Sequence, residues 1–146
     1  MHRVPEEENI LYELQKAADE LGIRNVISRI ARCSDAGDLA DYGALFTEDA
    51  SWSMRGVPVK KGRQAIVDAG AARRAEGVTG PGTFTRHLVD TVAVTVEGDT
   101  AVAESYWQFF TDTAAAPVLR SMGAYRDTFR RTPSGWQLAE RLITSG

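Results

Sequence analysis

The sequence predicts an α+β domain in which a curved antiparallel sheet is laid over helices from the N-terminal part of the chain. Two observations carry that prediction. Apolar residues recur at helical spacing through the first third of the chain, whereas the second half forms long β-rich runs separated by short turns. Helices that precede such a meander collect on one face of the sheet. Long strands twist strongly, so the sheet curls over those helices and leaves a concavity open at one end.

The elements follow in order. Glu6 to Glu20 carries Ile10, Leu11, Leu14, Ala17, Ala18 and Leu21 at helical spacing, and Gly22 is expected to interrupt that helix. A second stripe, Ile23, Val26, Ile27, Ile30 and Ala31, resumes the pattern. Asp35-Ala36-Gly37-Asp38 then reads as a helix stop, with Asp38 capping a short helix through Ala44. Ala50–Met54 is a first short strand, Arg55–Pro58 a turn, and Gly62–Glu76 a helix built on Ala65, Ile66, Ala69 and Ala72. After a glycine-rich loop at Gly77–Gly82 come four strands: Thr83–Val96, Thr100–Thr111, Val118–Arg131 and Trp136–Ile143. Glu97-Gly98-Asp99 and Pro133-Ser134-Gly135 supply tight turns between them.

The chain has 146 residues, enough for one domain with a sizeable core. A composition of 43% hydrophobic and 25% charged residues is that of an ordinary globular protein. The formal net charge of -3 argues against nucleic acid as a partner. The pairs Arg73-Arg74 and Arg130-Arg131 read as solvated faces. No run approaches the ~18 apolar residues of a membrane span. The acidic segment 1–9 reads as a frayed terminus without a signal-peptide core, so a cytoplasmic location is expected. A single cysteine, Cys33, excludes an internal disulfide and reads as a small buried hydrophobe.

Residues able to carry chemistry are few. Of two histidines, His2 lies in the terminus, which leaves His87 at the start of the first long strand. Strand alternation groups His87 with Val89, Thr91 and Ala93. A histidine there suits a base or acid near neutral pH, and equally a core histidine with both nitrogens satisfied. Asp35, past the apolar stripe, suits either an aspartate that orients His87 or one that ends a helix. Arg141 shares a strand face with Gln137, Ala139 and Ile143. It reads as an anion stabiliser in a cavity, as an exposed edge residue, or as a partner of Glu104 or Asp127. Among the aromatics, Trp52, Tyr106, Trp107, Tyr125 and Phe129 are expected to line the pocket, with Tyr125 also a hydrogen-bond donor. No phosphate loop, dinucleotide fingerprint, nucleophile elbow or metal-ligand cluster is present, which points to a mechanism without metal or cofactor.

These residues, in this order, carry a resemblance. They are Asp35-Ala36-Gly37-Asp38-Leu39, Leu45 through Trp52, Gly62-Arg63 with Ile66, Arg86-His87, Val96 through Ala101, Tyr125-Arg126-Asp127, and Gly135-Trp136 with Arg141. From Leu21 to Ile143 the chain resembles the SnoaL-like families of the nuclear-transport-factor-like superfamily. The resemblance implies a conical, cystatin-like α+β barrel with a pocket in the cone. Similar proteins include scytalone dehydratase, ketosteroid isomerase, polyketide cyclases and hexachlorocyclohexane dehydrochlorinase. In the dehydratase and dehydrochlorinase branch, a histidine on the first long strand takes a proton and a helix-end aspartate supports it. His87 and Asp35 match those positions, and Arg141 matches an arginine on the last strand of the dehydrochlorinase. The dehydratases also keep a tyrosine beside or shortly before the aspartate, where this chain has Ile30, Ala31 and Ser34, and His87 has no partner histidine.

The resemblance therefore implies a cofactor-independent lyase or isomerase acting on a small, largely apolar molecule. The alternatives are a polyketide-type cyclase and, in a different class, a non-catalytic ligand-binding or assembly domain. A curved sheet exposing Trp107 or Phe109 on its open face would need covering, so a homo-oligomer, dimer or trimer, is expected.

Overall fold

A computed structural model describes residues 3–146; His2 lies outside the described residues. The elements are α1 (Arg3–Ala36), α2 (Leu39–Gly43), β1 (Phe46–Met54), β2 (Val57–Lys61), α3 (Arg63–Ala75), β3 (Arg86–Glu97), β4 (Thr100–Thr111), β5 (Val118–Thr132) and β6 (Gly135–Ser145). The six strands form one curved, unclosed sheet in the order β2-β1-β6-β5-β4-β3. All neighbours run antiparallel except β1 and β6, which are parallel. The last strand thus sits in the middle of the sheet, and the edges are β2 and β3.

Four expectations about element boundaries are corrected. The helix begins at Arg3, inside the segment expected to fray, and runs unbroken through Gly22. A mid-helix glycine costs only about 1 kcal/mol relative to alanine. Here it also fits tertiary packing, since a Cβ at Gly22 would touch Cδ1 of Trp136 at 3.4 Å. The first strand begins at Phe46, earlier than Ala50. The segment taken as a turn contains only Arg55-Gly56 of the hairpin, with Gly56 at φ 82°, and continues as β2. Pro58 is tolerated in β2 because that strand is a sheet edge.

Helix α1 supplies the core only from its second half. Asp19, Ile23, Val26, Ile27 and Ile30 are buried, together with Phe46, Ile66, Phe129, Trp136 and Leu138. Ile10, Leu11, Leu14 and Leu21 lie on the helix as their spacing predicts but remain exposed, as does Tyr12.

Bulges curl the sheet and reset which side chains face inward. In β3 the register with β4 slips between Asp90 and Ala93, and Thr91 adopts φ 52°, an outlier for a β-branched residue. His87 and Val89 face inward before the bulge, and Val92, Val94 and Val96 after it. Thr91 and Ala93 therefore leave the face on which simple alternation grouped them with His87. In β6 a slip at Ala139 does the same: Trp136 and Leu138 point inward before it, Arg141 and Ile143 after it. Gln137 and Ala139 thus do not share the face of Arg141. Gln137 instead donates to the carbonyl of Ala44 at 2.9 Å.

One polar cluster ties helix to sheet. Asp19 accepts two hydrogen bonds from Arg131, both at 2.8 Å, and one from Trp136 Nε1 at 3.1 Å. Arg131 also lies over the Trp136 ring, 4.5 Å from its centroid. The Arg131 guanidinium holds the Asp19 carboxyl down at about 2, against the opposing effect of its burial. A depressed carboxylate contributes stability above its unfolded value near 3.8, and that contribution disappears as pH falls through about 2. Thermal melting between pH 5 and pH 2 is therefore expected to lose part of its stability in this window. Asp19→Asn is expected to lose about 1–3 kcal/mol at pH 7 and to flatten that slope, as calorimetry at each pH would read.

Candidate functional site

Beneath the curled sheet lies a cavity of about 320 Å³, walled by the C-terminal half of α1, α2, the end of α3 with the loop after it, and the inward faces of β1, β3, β4, β5 and β6. Its apolar wall includes Ile30, Trp52, Val89, Trp107, Phe109 and Ile143. Its polar groups include those of His87, Tyr42, Tyr125, Thr79, Arg73 and Arg141, with Ser34 and Ser121 beside them.

Asp35 stands in the last turn of α1, and both of its oxygens reach the start of β3. Oδ1 lies 2.7 Å from His87 Nδ1, and Oδ2 accepts from the His87 backbone N–H at 2.9 Å. The side chains are 11% and 21% exposed, so water competes little for this contact. The His87 ring also lies against Phe109, with centroids 4.7 Å apart. An ionised Asp35 fixes the tautomer with the proton on Nδ1 and leaves the lone pair of Nε2 unbonded by protein.

A carboxylate at a helix C-terminus opposes the helix dipole, and the last turn of α1 contains no basic residue. The compensating charge comes from α3. Arg74 Nη2 donates to the carbonyls of Cys33 at 2.8 Å and Gly37 at 2.6 Å, capping the helix end. Gly80, at φ 105°, makes room for it, because a Cβ there would lie 2.8 Å from Arg74 Cγ. Arg74 is thus a positioning residue for the turn that bears Asp35.

Arg141 is fully enclosed and forms a bidentate pair with Asp127, at 2.8 and 2.9 Å. Burial works against its charge, but Asp127 more than offsets this and raises its pKa. Its guanidinium lies 3.8 Å from the centroid of the Tyr125 ring. Burial also pushes the Tyr125 phenol upward, so it remains a protonated donor at neutral pH. Tyr125 stacks on Trp107 (centroids 6.1 Å, 25°), whose Nε1 donates to the Thr144 carbonyl at 3.2 Å. Trp107 fits because residue 123 is glycine: a Cβ there would lie 1.9 Å from the Thr144 carbonyl oxygen and 2.8 Å from the indole.

Of the residues selected from sequence, the structure brings together His87, Asp35, Arg141, Trp52, Trp107 and Tyr125. Two fall elsewhere. Tyr106 is 53% exposed on the opposite face of β4, one residue out of phase with Trp107. Phe129 is fully buried in the core, beyond the Arg141–Asp127 pair rather than on the cavity wall. Trp107 and Phe109 both face the cavity, so neither is an aromatic left on an open sheet face. The two arginine pairs read as solvated faces are engaged: Arg74 caps α1, Arg130 and Arg131 pair with Asp49 and Asp19, and Arg73 lines the cavity. Tyr42 and Arg73 were missed. Arg73 follows the buried residues Ile66 and Gly70 by seven and three positions, a helical spacing that would have placed it on the same face. Among the described residues, no three His, Cys, Asp or Glu side chains gather into a metal-binding set.

A SnoaL-like domain model matches residues 15–142. The chain belongs to the SnoaL-like family. A solved structure similar to this SnoaL-like domain is a nuclear-transport-factor-2-like protein with a cystatin-like fold from Novosphingobium aromaticivorans. It is 31% identical with a TM-score of 0.79, over 94% of this chain and 88% of that one. A protein of unknown function from Mycobacterium tuberculosis is 25% identical, with a TM-score of 0.79, over 90% of this chain and 74% of that one. A Nostoc punctiforme protein of unknown function with a cystatin-like fold is 21% identical, with a TM-score of 0.76 over 89% and 92%, and shows the fold alone. No curated protein matches the chain. No helix among the described residues is long and apolar enough to cross a membrane.

The Arg141–Asp127 pair generates a prediction. Removing one member of a buried ion pair leaves an uncompensated charge and costs about 3–5 kcal/mol. Asp127→Ala is therefore expected to lose about that much stability in urea denaturation. The double variant Asp127→Leu with Arg141→Met is expected to lose clearly less.

Proposed function

We propose that this SnoaL-like domain is a cofactor-independent lyase or isomerase that uses the Asp35–His87 pair to remove a proton from a small, largely apolar substrate held in the cavity. The observation that carries this reading is the double hydrogen bond that Asp35 accepts from His87, which leaves Nε2 of a cavity-lining histidine without a protein partner.

In this reading, Nε2 takes the proton from carbon or oxygen, and the imidazolium that forms is stabilised by the ionised Asp35. The electron pair left on the substrate has two outcomes. It expels a leaving group, which is elimination, or it takes the proton back from His87 at another position, which is isomerisation. The Tyr125 hydroxyl, kept protonated and lining the cavity, donates to the developing anion. Arg141 acts mainly through the ring it supports, because Asp127 already occupies its guanidinium. With Ile30, Ala31 and Ser34 in place of a tyrosine near Asp35, the donors left for a leaving group are the protonated His87 and the cavity hydroxyls, Tyr125 among them.

A panel of cyclic and hydroxylated ketones in deuterium oxide, followed by NMR, reads such proton transfer directly. His87→Ala is expected to slow exchange or turnover about 10²–10⁴-fold. Asp35→Asn keeps the side chain's shape but weakens the hold on the tautomer, and is expected to cost about 10²-fold or more. A His87→Ala variant that folds and turns over at the wild-type rate would defeat the assignment.

A further inference from the structure

Arg73 is the cavity's unanswered charge. It lines the space, is half-buried, and makes no hydrogen bond or ion pair with any described residue. Its neighbour Arg74 spends its guanidinium on helix carbonyls, and Arg141, the other arginine on the wall, is committed to Asp127. No aspartate or glutamate lines the cavity. The Arg73 guanidinium folds back along α3 toward Gly70, where a Cβ would lie 3.9 Å from its Nη2 and 3.7 Å from Tyr42 Cε2. Its positive charge is also felt by the Tyr125 phenol. One free cation therefore stands on a wall that is otherwise mostly apolar.

We infer that the cavity takes a substrate bearing one fixed anionic group, a carboxylate or its equivalent, and that Arg73 binds that group. The inference rests on the reading of this cavity as the substrate site and narrows the substrate class. A half-buried guanidinium with no counter-ion is incompletely solvated, and an entering carboxylate supplies the planar, bidentate acceptor that it matches. The Thr79 hydroxyl, on a buried residue of the same wall, adds a neutral donor. With its anion held at Arg73, the apolar body of the ligand is left to Trp52, Val89, Trp107 and Ile143, beside His87. A volume of about 320 Å³ is at the small end for ligand pockets and suits one ring or two fused rings. The general description of a small apolar substrate thereby becomes an apolar body with a charged handle.

Titration calorimetry with 2-naphthoate and 2-naphthamide, two probes of equal shape and different charge, tests this at pH 7 and low salt. The folded wild-type protein is expected to bind the carboxylate at least about tenfold more tightly than the amide. Arg73→Gln is expected to abolish that preference while binding the amide as before, and Arg73→Lys to retain part of it. His87→Ala is expected to keep the full preference, so a failed proton-transfer assignment and a failed anion assignment give different results. Equal binding of both probes by the wild type, no binding of either, a preference that survives Arg73→Gln, or one that vanishes in His87→Ala would each overturn the inference.

Discussion

The carboxylate of Asp35 is where the helical layer and the sheet are joined by chemistry rather than by packing alone. One oxygen holds the imidazole of His87 and the other holds its backbone N–H, so the side chain's orientation and the strand's position are set together. Neither would hold if the last turn of α1 frayed, and a carboxylate there favours fraying. Arg74 removes that tendency from a different helix, and the loop after α3 must pass close to it with glycine at position 80. Three segments far apart in the chain thus cooperate to place one nitrogen.

The cavity divides its polar groups into two kinds. Those set into the wall have local partners: Asp35 accepts from two N–H groups of His87, Arg141 pairs with Asp127, and the Trp107 N–H donates to a carbonyl. Others on the wall lack protein partners, among them His87 Nε2, the Tyr125 hydroxyl and the Arg73 guanidinium. The polar groups set into the wall are thus satisfied within the fold, and among the described residues the Arg73 guanidinium is the one charge on the cavity wall left for a ligand to pair. Tyr125 belongs to both sets, because its ring is fixed by Arg141 and Trp107 while its hydroxyl stays free.

Much of this was legible in the sequence. Helical spacing marked α1 and α3, turn residues separated the last four strands, and Asp38 marked α2, which it caps by accepting from Ala40 N–H at 2.6 Å. The order of motifs placed Asp35, His87 and Arg141, which local patterns alone left open. What escaped has physical causes. Bulges at Thr91 and Ala139 break the period-two rule, so alternation assigned correct neighbours to His87 and Arg141 on one side of each bulge only. Tyr106 and Trp107 are adjacent on β4, and without the register the inward member of the pair could not be told from the outward one. Gly22 looked like a helix end because propensity alone does not show the indole of Trp136 packed against it. The strand Val57–Lys61 was hidden by Pro58, acceptable only because β2 is an edge.

Gly123 sets a limit on how this pocket can vary. The indole of Trp107 rests directly on main chain there, with the Thr144 carbonyl behind it. That end of the pocket is therefore closed by backbone, and no substitution at position 123 deepens or fills it without parting β5 from β6. Diversification of ligand shape, by evolution or by design, is left to lining side chains such as Met54, Val89 and Ile143. The pocket has one immovable end and several adjustable sides.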